Sequence, residues 1–155
     1  MKRFISIVLC LSLFCALFSL PASADASTSS ERPTILVFAD GSWCVTSIIV
    51  LEENASDCME RSEITGLKTK DYYNANGAHL FSATVKGTFT YNGNTATATS
   101  SQYGYQIIDN TWSFSSAYAF CSGATATASC TFTNPYHQNR TVAVSLTCSP
   151  TGILS

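Results

Sequence analysis

Between His79 and Tyr91 the side chains alternate with a period of two. Phe81, Ala83, Val85, Phe89 and Tyr91 fall on one side, and Ser82, Thr84, Lys86, Thr88 and Thr90 on the other. Such a period belongs to an antiparallel strand with one face buried. Asn76-Gly77 before it and Asn92-Gly93 after it are dipeptides that accept the backbone angles of tight hairpin turns. A shorter strand is predicted at 67–74. Thr and Ala alternate from 95 to 99, and that strand continues through Tyr103, Tyr105 and Ile107 to a turn at Asp109-Asn110. Trp112, Phe114, Tyr118 and Phe120 mark the next strand, broken by Ser122-Gly123. Ala124, Ala126, Ala128, Cys130 and Phe132 mark another, and Val142, Val144, Leu146 and Cys148 the last. Phe81, Phe89, Phe114 and Phe120 are expected in the core. Nearer the N-terminus, the apolar runs Thr34 to Ala39 and Val45 to Leu51 flank Asp40-Gly41-Ser42 and predict a further hairpin. The segment from Glu52 to Glu63 is the most charged in the chain and suits a short helix or a loop equally. The pattern predicts an all-β protein, an antiparallel β-sandwich or small barrel of about six to eight strands.

The first 24 residues have a different character. Lys2 and Arg3 precede an uncharged stretch from Phe4 to Leu20, then Pro21 and the small residues Ala22-Ser23-Ala24. These are the three parts of a signal peptide in order, with cleavage after about Ala24. The apolar stretch is at the short limit for a membrane span. Bulky Phe14 before Cys15 makes a poor lipidation site. The organisation expected is therefore a signal peptide at 1–24 and a Ser/Thr-rich flexible leader at 25–33. An N-terminal hairpin with its charged loop follows at 34–65, then a β-sandwich body at 66–155, with 34–155 as one domain. The mature chain is expected to be secreted, with no transmembrane segment.

Cleavage changes the charge. Lys2 and Arg3 leave, so the mature chain keeps six basic and ten acidic side chains and a net charge of about −4. A nucleic-acid partner needs a basic footprint to displace counterions, and this balance argues against one. After Lys86 the formally charged side chains are Asp109 and Arg140, so Thr, Ser, Asn and Gln must carry the exposed faces. Few charges guard the strand edges, which favours an oligomer or a surface-bound protein.

Export also sets the cysteine chemistry. Cys10 and Cys15 are lost with the signal peptide. Cys44, Cys58, Cys121, Cys130 and Cys148 remain, in a compartment where disulfides persist. Cys44 with Cys58 is one expected pair; Cys148 can partner Cys121 or Cys130, and Cys130 is preferred as the two can sit on adjacent strands, leaving Cys121 unpaired. No C-x-x-C occurs, and His79 and His137 sit in no ligand spacing, so neither a metal nor a cofactor is expected. No G-x-S-x-G frames a nucleophilic serine. Nine of the ten acids precede Tyr72, which leaves few for a glycosidase pair in the strand-rich part. Aromatic residues offer another chemistry. Tyr72, Tyr73, Tyr103 and Tyr105 are candidate platforms for sugar rings or a protein partner, and Trp112, Tyr118 and Tyr136 are further exposed possibilities.

From Lys68 onward the chain resembles small secreted all-β proteins of Gram-positive, clostridial-type bacteria. The matching features are the Asn76-Gly77 turn, the run from Val85 to Gly93, Trp112 before a Ser-rich strand, and the closing run from Leu146 to Gly152. The resemblance covers a little over half of the chain and implies fold and export, with no catalytic residue to carry over. The function expected is a non-catalytic module that binds glycan or protein at or outside the bacterial envelope. The alternatives are a small secreted antimicrobial or inhibitor, centred on Cys44–Cys58, and, third, a secreted hydrolase.

Overall fold

A computed structural model describes residues 32–54 and 61–155; the expected signal peptide at 1–24, residues 25–31 of the expected leader and residues 55–60 of the charged segment lie outside the described residues. The described chain is all-β. Its strands are β1 Thr34–Val37, β2 Trp43–Asn54, β3 Ser62–Tyr73, β4 His79–Tyr91, β5 Ala96–Ile107, β6 Ser113–Ser122, β7 Thr125–Thr133 and β8 Asn139–Thr147. They form two antiparallel sheets, β1-β2-β3-β4-β5 and β6-β7-β8, with no closed barrel among the described residues.

Turn chemistry fixes the hairpins. Gly77 and Gly93 take φ of 83° and 84°. Asn74 Oδ1 accepts from the amides of Asn76 and Ala78, and Asn92 Oδ1 from those of Asn94 and Thr95. Each asparagine thus closes its own turn through its side chain. At the β1–β2 turn Asp40 accepts from the amide and hydroxyl of Ser42. These bonds to the ionised form hold its carboxyl below the usual range.

The inner faces of the two sheets meet in one core. Phe81, Ala83, Val85 and Phe89 of β4 pack toward Ala126, Ala128, Cys130 and Phe132 of β7, with Val142, Val144 and Leu146 of β8 beside them, and most are fully buried. The Phe81 and Phe132 rings stack with centroids 4.0 Å apart. Gly66 and Gly87 face each other across β3 and β4 in this layer. A methyl on Gly87 would stand 2.9 Å from Ala126 Cβ, so the missing side chain is what lets the sheets approach.

Three features differ from the pattern. The acidic Glu52 and Glu53 extend β2 rather than starting a helix or loop, because a register shift between Val50 and Glu52 absorbs one residue and pairing with β3 resumes. Glu53 is then held by the Tyr91 hydroxyl at 2.9 Å. A second shift, between Phe114 and Ser116, reverses the parity of β6. Phe114 faces the core, whereas Tyr118 and Phe120 point outward and are 62% and 48% exposed. Phe120 is therefore not a core residue. Third, the smaller sheet ends short of β1 and β2. Ile64, Gly66, Lys68, Lys70 and Tyr72 pair with buried residues of β4 and share the inner face of β3. Two lysines can occupy that face because the cover stops at β8, where Lys70 Nζ donates to Ala143 O at 3.0 Å.

Candidate functional site

β5 and β6 lie side by side where the two sheets close, and their aromatic residues meet there. Tyr103 and Tyr105 are opposite Val85 and Ala83, so their side chains start from the inner face. Since β5 is an edge strand, the rings emerge at the seam, 48% and 46% exposed. Phe114 orders them. It stacks on Tyr105 at 3.8 Å with planes 1° apart, and lies parallel to Tyr103 within 18° at 6.5 Å. Phe114 in turn meets the buried Phe132 edge-on at 6.2 Å. Behind the ledge, Ser101 Oγ donates to Thr127 O at 3.0 Å and ties β5 to the smaller sheet. Two exposed tyrosines are thus anchored by a half-buried phenylalanine that rests on the core. Residues 103 and 105 are separated by about 6.6 Å along the strand. The arrangement can receive flat apolar faces while each phenol offers a hydroxyl.

The other two tyrosine candidates part company. Tyr72 is buried between Phe38 and Phe81, at 6.1 Å and 5.1 Å, with the Arg140 guanidinium 5.0 Å over its ring. Its phenol is pushed up to about 12, chiefly by burial. Tyr72 is a core residue and presents no ring to a ligand. Tyr73 points the opposite way, to the outer face of the larger sheet, where it stacks between Trp43 at 4.0 Å and His79 at 4.6 Å. Both of its faces are taken.

Beside that stack a histidine, an acid and a serine converge. Asp71 lies opposite Ser82 in the β3–β4 ladder, and the Ser82 hydroxyl donates to Asp71 Oδ1. His79 Nε2 is 3.1 Å from Ser82 Oγ and 3.7 Å from Asp71 Oδ1. The residue types are those of a nucleophilic triad, but the wiring differs. In a triad the imidazole bridges serine and acid through different nitrogens. Here both partners meet Nε2, and the serine proton goes straight to the carboxylate. The trio was hidden in sequence, although the Asn76-Gly77 turn that sets the register was visible.

The four cysteines among the described residues are thiols in this structure. Cys44, Cys130 and Cys148 are buried, and Cys121 is exposed. Cys130 and Cys148 are on the same side of neighbouring segments, as expected, but Cys130 pairs with Val142, six residues before Cys148. That is about 20 Å along the strand, too far for a bridge that needs Cα atoms within about 7 Å. The expected Cys130–Cys148 pair is therefore corrected. Cys44 faces Tyr72 near the start of β2, and Cys58 lies outside the described residues. Burial raises the pKa of the Cys130 and Cys148 thiols. His137 occupies the β7–β8 loop with φ of 59°, in a turn closed by Asn134 Oδ1.

A polar cleft of about 260 Å³ lies at the far end of the larger sheet, lined by Arg61, Thr90, Tyr91, Asn92, Thr95 and Thr97. No group of three potential metal-ligating side chains occurs among the described residues. No protein-family model, no curated protein and no solved structure matches the chain.

Proposed function

We propose that this protein is an exported, non-catalytic β-sandwich module that binds glycan through the Tyr103–Phe114–Tyr105 ledge. One observation carries the reading: two tyrosines with inward-starting side chains remain half-exposed and are held parallel by a phenylalanine anchored to the core. Ordering a side chain on binding costs about 0.5–1.5 kcal/mol, and a ledge already stacked avoids much of it. Sugar rings present flat C–H faces to such a surface, and their hydroxyls meet the phenols at its margin. The N-terminal signal pattern supports an exported protein, and export would bring it to the glycans of the cell envelope.

The experiment is depletion of the mature protein by insoluble bacterial cell-wall polysaccharide, with Tyr103→Ala and Tyr105→Ala singly and together. Losing one stacked ring removes about 1–1.5 kcal/mol, which corresponds to about tenfold in affinity. The double variant should lose retention, whereas Tyr136→Ala, which alters an 83% exposed ring of the β7–β8 loop that is not part of the Phe114 stack, should retain it. Equal retention of all five proteins would remove the ledge from the account.

A further inference from the structure

The smaller sheet stops at β8, and the backbone of that edge is arranged to accept another strand. In antiparallel pairing the N–H and C=O of one residue point to the same side, and the side alternates along the strand. Thr147 faces away from β7: its amide donates to Ser155 O and its carbonyl accepts from Ser155 N, both at 2.9 Å. Ala143 O also faces away from β7 and receives Lys70 Nζ. The two agree in parity, so Thr141, Ala143 and Ser145 all turn their backbone groups toward the open edge. Residues 154 and 155 already run antiparallel to β8 at one end, through the Cys148–Leu154 bridge. Beyond them the edge from Asn139 to Ser145 has no strand beside it among the described residues.

The floor beneath that edge is basic. Lys68 and Lys70 alternate on the inner face of β3, about 6.6 Å apart. Arg140 closes one end over Phe38 and Tyr72, at 5.1 Å and 5.0 Å, with Asp40 within its electrostatic reach. At the other end Arg32 and Lys68 border a cavity of about 120 Å³ with Thr46 and Ile48. Four of the six basic side chains expected in the mature chain thus gather along one trough of an acidic protein. Side chains of an added strand opposite Val142 and Val144 would point into the trough, and their repeat along the strand matches the lysine spacing.

From this geometry we infer that the β8 edge binds an extended peptide segment carrying acidic residues at alternate positions. The segment adds as a strand. Its amides replace Lys70 Nζ at Ala143 O, and its carboxylates engage Lys70 and Lys68. Lys70 covers the edge carbonyl when no strand is present and becomes a charge partner when one is. This site is separate from the aromatic ledge and does not depend on the glycan reading.

The test is fluorescence anisotropy with a labelled (Glu-Val)4 peptide, beside (Lys-Val)4 and polygalacturonate, followed by amide hydrogen exchange. (Glu-Val)4 should bind at least tenfold more tightly than (Lys-Val)4, and Lys70→Glu should abolish that preference. Ala143→Pro removes an amide that makes no bond to β7, so it should leave the fold and remove binding. In the wild-type complex the Thr141, Ala143 and Ser145 amides should gain protection. That readout decides the matter even if the proline variant unfolds. Absence of (Glu-Val)4 binding, or binding without new protection at those amides, would overturn the inference. So would polygalacturonate binding of equal strength that survives Ala143→Pro, because the trough would then read charge alone.

Discussion

Replacing Gly87 by alanine tests how closely the two sheets approach. The new methyl would lie 2.8 Å from Cε2 and Cζ of Phe89 and 2.9 Å from Ala126 Cβ. Carbon atoms pack comfortably at about 3.5–4.0 Å, so each contact is short by about 0.6 Å or more. Phe89 is fully buried, and Ala126 Cβ is fixed by the β7 backbone, so neither can move away freely. Overpacking of this kind costs about 1–3 kcal/mol. The reduced freedom of the unfolded chain returns about 0.4–1 kcal/mol, leaving a net loss of about 1.3 kcal/mol at the centre of these ranges. In a domain of this size that lowers Tm by about 4–8 °C, measured by circular dichroism or calorimetry. Gly104→Ala is the matched control, since its methyl would meet Thr84 Cβ at an ordinary 3.5 Å and its φ is not positive. It should leave Tm unchanged or slightly raised. A Gly87→Ala protein within 2 °C of wild type, or a control equally damaged, would refute the packing argument.

Other substitutions and titrations probe the remaining features. In native protein, iodoacetamide followed by peptide mapping should label Cys121 quickly and leave Cys44, Cys130 and Cys148 unmodified until unfolding, as their exposure dictates. Phe120→Thr should change stability by no more than about 0.5 kcal/mol, whereas Phe132→Ala, deep in the core, should cost about 3–5 kcal/mol in urea unfolding. Tyr72 should weaken the fold at high pH. Its phenol ionises near 10 when unfolded and at about 12 when folded. The unfolded state therefore loses its proton first, and the stabilisation present below pH 10 is lost as pH rises toward 12. Tyr91, raised in the same direction by burial and by Glu53, adds to this loss. Tyr72→Phe should flatten that part of the stability–pH curve, and an unchanged slope would place Tyr72 outside the core.

The strands with clean alternation and asparagine-glycine turns were legible from sequence. β4 spans the expected 79–91, and both flanking glycines take positive φ. What escaped was register. One extra residue at Phe114–Ser116 turned Phe120 outward, and no residue type at that position announces a bulge. The same dependence on register undid the Cys130–Cys148 pairing, since neighbouring strands do not guarantee neighbouring rows. The aromatic site was half-visible. Tyr103 and Tyr105 stood out on one strand, but Phe114, which orders them, comes from another and looked like ordinary core. Tyr72 and Tyr73 were indistinguishable in sequence, yet one is buried and its neighbour lies on the opposite face. The inward position of Lys68 and Lys70 is intelligible only once the smaller sheet is seen to end at β8.

The most direct test of the glycan reading is an NMR titration of mature protein with soluble oligosaccharides released from bacterial cell wall. The account predicts saturation transfer between sugar C–H protons and the rings of Tyr103 and Tyr105, with little effect at Tyr73 or Tyr118. Binding with transfer centred elsewhere, or no transfer at millimolar sugar, would contradict it.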